Sequence, residues 1–227
     1  MSRHWQESRH MINSHKYHPD YYTGERAEML RFVPPNLKTF LEIGCGEGNF
    51  SHLVGKTYSA QVWGVEANHR AATVARKKLD HVITGTIEKN ISVLPDNFFD
   101  CIAMNDVIEH LFSPWAVLEE LKLKLRKNGV IILSIPNFRF WKNLREIVVR
   151  GEWNYVDSGI LDRTHLRFFT YKSIIKMMED LQFEIVTIEP MHKKSRAFLA
   201  ALNVLLFSRL WDLKYVHFAC VIRPLGK

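Results

Sequence analysis

Three closely spaced glycines and one acidic residue are the first side chains whose spacing could do chemistry. Gly44, Gly46 and Gly48 follow an apolar run and precede a segment with helical periodicity. Glycines in this context let the backbone turn sharply and approach a ligand closely. Glu66 ends the next apolar run, where a carboxylate can accept hydrogen bonds from both hydroxyls of a ribose. Together these residues predict a site for an adenosine-containing ligand; the alternative is a purely structural turn with an acid at a helix N-terminus.

A second group combines two carboxylates and a histidine. Asp106, Glu109 and His110 have the spacing i, i+3 and i+4, which on a helix would place three metal-ligating groups on one face. The same spacing also fits a capping box, in which Asp106 caps the helix, Glu109 stands at the third position and His110 packs beside them. We favour the capping box and therefore expect no metal; a divalent metal is the alternative.

His165 lies in the irregular connection at about residues 138–170, where we expect substrate specificity to reside. An imidazole that titrates near neutral pH can take a hydroxyl proton as a base. A hydrogen-bonded structural histidine is the alternative. The aromatic residues of this insertion are expected to cap the cleft or line an acceptor pocket, and Tyr21 to Gly24 to close its opposite side.

The order of elements along the chain predicts how these residues are positioned. Short apolar runs alternate with helical periodicity from Thr39 to Ile135, which is typical of βαβ units in a parallel sheet. We predict an α/β fold with a Rossmann-like, seven-stranded, mostly parallel sheet, helices on both faces and an antiparallel C-terminal edge strand. The predicted strands are Thr39–Ile43, Gln61–Val65, His81–Thr84, Phe99–Met104, Val130–Ile135, Phe183–Ile188 and Val216–Ile222. The predicted helices are Phe50–Tyr58, His69–Leu79, Pro114–Lys127, which ends at Asn128-Gly129, Tyr171–Leu181 with Thr170 as its N-cap, and a segment around Phe198–Leu213.

Length and composition bound the remaining possibilities. With 227 residues, the chain predicts one domain over residues 21–227, preceded by a flexible polar lead at residues 1–20. The net charge of +7 would suit an acidic partner, but the cations are scattered, so solvated helix faces are favoured over nucleic-acid binding. The three cysteines lie far apart and the sequence has no signal or membrane-spanning run, so we predict a cytoplasmic protein without disulfides. We expect either a monomer or a homodimer.

Four stretches of the sequence match a known pattern, and they are Leu41-Glu42-Ile43-Gly44-Cys45-Gly46-Glu47-Gly48, Asp100 to Leu111, Leu125-Arg126-Lys127-Asn128-Gly129-Val130, and Ser134-Ile135-Pro136-Asn137. Together they resemble class I S-adenosylmethionine-dependent methyltransferases, in particular the ubiquinone-biosynthesis O-methyltransferase type. The resemblance covers roughly residues 22–190. One departure is that Gly85-Thr86-Ile87 stands where the family often has an acidic residue beside the adenine.

The resemblance implies roles for individual residues. It puts Glu42 near the methionine end of the cofactor, Glu66 on the ribose and Asn105 at the sulfonium. It implies that Gly44, Cys45 and Gly46 are backbone contacts. The remaining residues expected at the cofactor are Gly48, Ala67, Thr86, Ile87 and Asp106.

The leading interpretation is an enzyme that moves a methyl group from S-adenosylmethionine to an oxygen of a small molecule or glycan and releases S-adenosylhomocysteine. His165 is the expected base, and Asp106 and His110 are the other expected catalytic residues. In relatives, a carboxylate, a Glu and a His at this spacing are associated with a divalent metal, so a metal-dependent RNA 2′-O-methyltransferase is the first alternative. A non-catalytic S-adenosylmethionine-binding protein and a nicotinamide-dependent oxidoreductase are the others.

Overall fold

The described part of the chain forms one seven-stranded sheet in the strand order β3-β2-β1-β4-β5-β7-β6. The structure is a computed structural model that describes residues 22–194 and 209–226. The predicted lead at residues 1–20 lies outside them. The strands are β1 (Thr39–Ile43), β2 (Gln61–Glu66), β3 (His81–Thr84), β4 (Phe99–Asn105), β5 (Leu125–Pro136), β6 (Phe183–Lys193) and β7 (Tyr215–Pro224).

The pairing of the strands confirms the predicted fold class. Strands β1 to β5 pair in parallel, and β7 runs antiparallel to both β5 and β6. The antiparallel pair at the C-terminal edge therefore consists of β7 and β6, and β6 is the outermost strand. Every residue of β1 is buried, as expected for a central strand that helices cover on both faces.

Helices and short turns connect the strands. The helices are α1 (Asn49–Tyr58), α2 (His69–Ala75), α3 (Ile87–Asn90), α4 (Pro114–Lys124), α5 (Trp141–Leu144) and α6 (Tyr171–Asp180). Thr170 caps α6 as predicted, because its hydroxyl accepts from the backbone N–H of Ser173. The 3₁₀ turns are Ala27–Phe32, Ile91–Val93, Ile108–His110 and Trp211–Lys214, and Arg145–Arg150 forms a π-helical turn.

Two predicted helix ends were wrong. The helix predicted over Pro114–Lys127 ends at Lys124, because Leu125 pairs with Phe99 of β4 and is fully buried there. Asn128 adopts a positive φ of 64° within β5 instead of ending a helix. The helix predicted over His69–Leu79 ends at Ala75 and continues as turns. Most of the helix predicted around Phe198–Leu213 lies outside the described residues.

Alternate residues of the central strands pack on opposite sides of the sheet. Leu41 and Ile43 belong to a core cluster that includes Leu118 of α4 and Ile174 of α6. Phe40, which precedes Leu41, belongs to the other core cluster, which includes residues of α1. Helices on both faces therefore hold the parallel strands rigidly, and the carboxyl ends of these strands meet at one edge, where ligands bind in folds of this type.

All three cysteines are buried free thiols, in agreement with the expectation of no disulfide. Within residues 22–194 and 209–226, no helix combines the length and apolar character needed to span a bilayer.

Candidate cofactor cleft and reactive cluster

The glycine loop turns immediately after β1, at the carboxyl edge of the sheet. Gly44 and Gly46 have positive φ angles of 72° and 54°, which L side chains rarely adopt. A Cβ on Gly46 would lie 2.7 Å from the backbone oxygen of Tyr22. The N–H of Gly46 donates to Oε2 of Glu66 at 2.8 Å, and the N–H of Asn68 donates to Oε1 at 2.7 Å. The loop and β2 thus fix the Glu66 carboxylate at the cleft, where burial raises its pKa.

Glu42, the penultimate residue of β1, is a buried carboxylate just before the glycine loop. Its Oε2 accepts from the hydroxyl and the N–H of Ser51 at 2.6 and 3.2 Å, and its Oε1 accepts from Nδ2 of Asn105 at 3.2 Å. Burial raises the pKa of Glu42 to about 7, although these hydrogen bonds oppose the shift. The Oδ1 atom of Asn105 is buried without a hydrogen-bond partner. Both side chains therefore retain capacity for a polar ligand.

An N-terminal segment, residues 22–26, crosses the glycine loop. The N–H of Glu47 donates to the backbone oxygen of Tyr22 at 3.0 Å, and Nδ2 of Asn49 donates to that of Thr23 at 2.9 Å. Nδ2 of Asn68 donates to the Tyr22 hydroxyl at 3.1 Å. As expected for the Tyr21–Gly24 stretch, Tyr22 and Gly24 line the cleft; Tyr21 lies outside the described residues.

Asp106 does not cap a helix, so the predicted capping box was wrong. Asp106 has a φ of 54°, and the 3₁₀ turn Ile108–His110 that follows has no side-chain cap. The carboxylate instead accepts from the Ser134 hydroxyl at 2.8 Å, forms an ion pair with Arg26, and lies 3.6 Å from Nε2 of His217. Although burial opposes the shift, His217 and Arg26 lower the pKa of Asp106.

Glu109 and His110 meet His165, rather than Asp106, in a reactive cluster. Each of the three side chains offers one ligand atom, and these atoms lie within 4.8 Å of one another. Glu109 is almost completely buried, and neither of its carboxylate oxygens has a hydrogen-bond partner. Burial and the negative charge of Asp106 raise the pKa of Glu109. The Nε2 atom of His165 lies 3.9 Å from Oε1 of Glu109.

The hydrogen bonds of both histidines determine which ring nitrogen carries the proton. Nδ1 of His165 lies 2.9 Å from the backbone oxygen of Ile160, and Nδ1 of His110 lies 3.3 Å from that of Thr164. A carbonyl oxygen only accepts, so each Nδ1 atom donates, and in the neutral form of each ring Nε2 keeps a lone pair. Burial, with the nearby His165, lowers the pKa of His110 to about 4, so its ring is neutral at neutral pH.

The backbone holds the two halves of the reactive cluster together. The N–H groups of Leu166 and Arg167 both donate to the backbone oxygen of Glu109, at 2.8 and 3.0 Å. The loop that carries His165 is thereby attached to the turn that carries Glu109 and His110. Residues distant in sequence are thus brought to one position.

A single cleft of about 1430 Å³ contains nearly all the predicted site residues. This volume exceeds that of a typical pocket for one ligand, so a cofactor and an acceptor can share it. Gly48 is not among the lining residues, because it is the N-cap of α1 and its Cβ position faces Leu79 and Ala75. The predicted residues that line the cleft are Glu42, Gly44, Cys45, Gly46, Glu66, Ala67, Thr86, Ile87, Asn105, Asp106, His110 and His165.

Sequence reasoning missed several lining residues, including Arg26, Glu88 and His217. Glu88 directly follows Gly85-Thr86-Ile87, the stretch where the family's acidic residue was sought, so a search of the neighbouring positions could have found it. No local sequence pattern marks Arg26 or His217 as a site residue, because both approach Asp106 only through the tertiary fold.

The insertion at residues 138–170 divides into two parts. Phe138, Trp153 and Phe168 pack on one another with ring centroids 5.2 to 5.4 Å apart. These aromatic rings are not among the cleft-lining residues, contrary to the alternative that aromatic residues of the insertion line an acceptor pocket. The residues of this insertion that line the cleft are instead 158–159 and 162–166.

The fold and the cleft together define the class of protein. The strand order with an antiparallel β7, the glycine loop after β1 and the acidic residue that ends β2 are those of a class I S-adenosylmethionine-dependent methyltransferase. The family described as "Methyltransferase domain" matches residues 15–188. The chain therefore belongs to this methyltransferase family and is an enzyme whose cofactor is S-adenosylmethionine.

Individual relatives agree with the family assignment. The chain is 36% identical over 104 residues to the mitochondrial ubiquinone biosynthesis O-methyltransferase of Schizosaccharomyces pombe, over 43% of this chain and 37% of that protein. It is 29% identical to the ubiquinone biosynthesis O-methyltransferase of Actinobacillus pleuropneumoniae, over 51% of this chain and 53% of that protein. The matches thus span about half or less of these two relatives.

A solved structure shows the same fold. The crystal structure of a methyltransferase from Archaeoglobus fulgidus superposes with a TM-score of 0.66 at 19% identity, covering 89% of this chain and 96% of that chain. At this identity the likeness concerns the architecture alone, and the acceptor has to be argued from the cleft.

Proposed function

We propose that this enzyme transfers the methyl group of S-adenosylmethionine to a hydroxyl oxygen of a small molecule or glycan. The observation that carries the proposal is the reactive cluster, in which ligand atoms of His110 and His165 lie within 4.8 Å of a buried carboxyl group without a hydrogen-bond partner. A hydroxyl must lose its proton as the methyl arrives, so an oxygen acceptor needs such a proton-accepting group. The relatives named as O-methyltransferases support the same choice.

In the proposed reaction, His165 is the base. The bond between the sulfonium sulfur and the methyl carbon breaks while the bond between the acceptor oxygen and that carbon forms. The hydroxyl proton moves to Nε2 of His165, and S-adenosylhomocysteine leaves as a neutral sulfide. Glu109 stabilises the protonated His165 from 3.9 Å. Because the pKa of Glu109 is raised, this carboxyl can also exchange a proton with the histidine.

The cofactor contacts form a second part of the proposal. We assign the ribose hydroxyls to Glu66, the positively charged methionine end to Glu42, and the sulfonium region to Asn105. The partnerless Oδ1 atom of Asn105 and the raised pKa of Glu42 support these assignments, because a cationic ligand would stabilise both oxygens. Backbone groups of Gly44, Cys45 and Gly46, together with Ala67, Thr86, Ile87 and Asp106, complete the proposed contacts.

The test follows transfer of a labelled methyl group from S-adenosylmethionine into a panel of phenols, sugars and amines, with mass spectrometry of the products. We expect methyl ethers, and we expect His165→Gln to lower kcat by about 10²-fold or more. His81→Gln is the matched control, because His81 is exposed at the start of β3 and does not line the cleft. Products methylated only on nitrogen, or full turnover by His165→Gln, would contradict the proposal.

A second candidate is metal-dependent O-methylation, in which Glu109, His110 and His165 hold a divalent cation. Their donor set fits such an ion, because both histidines donate Nδ1–H to backbone carbonyls, as metal-ligating histidines commonly do. Asp106, the first residue of the predicted ligand set, is engaged by Arg26 and Ser134 instead. A bound divalent ion would supply a Lewis acid that favours ionisation of the acceptor hydroxyl.

Calorimetric titration of the purified, chelator-treated enzyme with Mn²⁺ or Zn²⁺ distinguishes the two candidates. One bound ion per chain that is lost in Glu109→Gln would support the metal-dependent form. No binding, with activity that survives chelation, would support His165 as an unassisted base. An RNA acceptor additionally requires binding that weakens steeply with salt.

A further inference from the structure

Asp162 is a buried acidic residue directly behind the reactive cluster, and its relative exposure is 2%. Its Oδ1 atom accepts from the backbone N–H of Thr164 at 2.8 Å and from the Thr164 hydroxyl at 2.7 Å. The hydroxyl proton of Thr164 therefore points to Asp162. The oxygen of that hydroxyl then has only lone pairs left for other neighbours.

The neighbour of this hydroxyl is His110. Its Nδ1 atom lies 3.1 Å from Oγ1 of Thr164 and 3.3 Å from the backbone oxygen of the same residue. Both oxygens act as acceptors, so they favour a proton on Nδ1. If the Thr164 hydroxyl donated to Nδ1 instead, the single proton of the neutral ring would have to lie on Nε2. The direction of the Thr164 hydroxyl therefore influences which nitrogen of His110 carries the proton.

We propose that Asp162 is a positioning residue that acts through Thr164 to keep the proton of His110 on Nδ1. The Nε2 atom of His110 then keeps its lone pair in the reactive cluster, where one nitrogen of this ring lies within 4.8 Å of ligand atoms of Glu109 and His165. This inference rests on the proposed function only in assigning His110 to the reacting groups. Its role is the same whether the cluster accepts a proton or binds a cation, because both need an unprotonated Nε2.

Removing the Asp162 carboxylate tests the proposal, because the proton of His110 should then move from Nδ1 to Nε2. In Asp162→Ala the Thr164 hydroxyl proton is released and can point to Nδ1 of His110, which then accepts and leaves the ring proton on Nε2. We expect the tautomer ratio to shift toward Nε2–H by about tenfold or more, as for the loss of a hydrogen bond to a charged group. The double variant Asp162→Ala with Thr164→Val lacks the competing hydroxyl, so it should return toward Nδ1–H.

Long-range ¹H–¹⁵N NMR spectra of the histidine-labelled, chelator-treated enzyme at neutral pH measure the tautomer directly. Asp162→Asn and Thr164→Val are matched controls, because the first retains an Oδ1 acceptor and the second retains the backbone acceptor. Both should keep Nδ1–H. If Asp162→Ala does not fold, Asp162→Ser replaces it, because the serine hydroxyl can donate to Thr164 and should produce the same shift toward Nε2–H.

The proposal is overturned if the wild-type enzyme shows Nε2–H on His110, or if the folded Asp162 variant keeps the wild-type tautomer. A merely structural role for Asp162 would not be reversed by the second substitution at Thr164, so absence of that reversal also overturns it. The spectra need neither cofactor nor acceptor. If no O-methylation were found, the measured tautomer of His110 would still test the role of Asp162. If Asp162 had no effect on that tautomer, the proposed O-methylation would be unaffected.

Discussion

Replacement of Glu42 by glutamine should stabilise the cofactor-free enzyme above neutral pH. Burial raises the pKa of Glu42 from 4.5 to about 7 in the folded state. The folded state therefore holds this proton more tightly than the unfolded chain, and the stability contributed by the group is lost as the pH rises from about 4.5 to about 7. A shift of this size corresponds to about 3 kcal/mol. Glu42→Gln has no ionisation and avoids this loss.

The glutamine side chain can keep the local hydrogen bonds. Its Oε1 atom can accept from Ser51, and Asn105 can rotate its partnerless Oδ1 atom toward the new amide. Urea unfolding at pH 8 should therefore show Glu42→Gln more stable than wild type by about 3 kcal/mol relative to the difference at pH 4.5. Glu184→Gln is the control. Glu184 lies on β6 in a half-exposed ion pair with Arg223 of β7, so this substitution should change stability by less than about 0.5 kcal/mol.

The same substitution should weaken the cofactor complex. If Glu42 faces the positively charged end of S-adenosylmethionine, its loss should raise Kd at pH 8 by about tenfold or more, as for a hydrogen bond to a charged group. The wild-type Kd should rise below pH 7, and the Kd of Glu42→Gln should not follow it. A variant that is less stable than wild type at pH 8, or that binds the cofactor equally well, would refute the assignment.

Three further substitutions test two residues of the cleft and the cap of α6 by thermal or urea unfolding. Gly46→Ala should destabilise the enzyme by about 2 kcal/mol or more, because it combines a φ of 54° with a clash; Gly151→Ala has a similar φ but open space, and an equal loss there would refute the clash. Arg26→Ala should cost about 1 to 3 kcal/mol by leaving the Asp106 carboxylate without its partner, reduced by the partial exposure of the arginine. Thr170→Ala should cost about 1 kcal/mol through loss of the α6 cap, and no loss would contradict that cap.

Local sequence patterns were sufficient for most of the sheet and for the position of the glycine loop and Glu66 at the cleft. Strands β1 to β4 and the glycine loop are encoded by neighbouring residues, so their periodicity and turn chemistry are readable. The start of β5 was not readable, because Leu125 continues a helical pattern and only its pairing with Phe99 makes it a strand residue. Tertiary pairing thus overrides helix propensity at that position.

The reactive side of the cleft was less predictable, because its geometry depends on contacts across the chain. The spacing of Asp106, Glu109 and His110 suggested a helical face, whereas the chain turns at Asp106 and follows a 3₁₀ path. His165 was recognised as a single candidate, but its meeting with Glu109 depends on the loop's backbone hydrogen bonds. No period or motif in the sequence encodes such a contact.

The most direct test of the account is a crystal structure of the enzyme with S-adenosylhomocysteine bound. We predict the ribose hydroxyls on Glu66 and the sulfur beside Asn105, with its open side facing Glu109, His110 and His165. This arrangement would put the transferred methyl group between the cofactor and the reactive cluster. A sulfur directed away from these three side chains, or a ribose bound elsewhere than Glu66, would contradict the account.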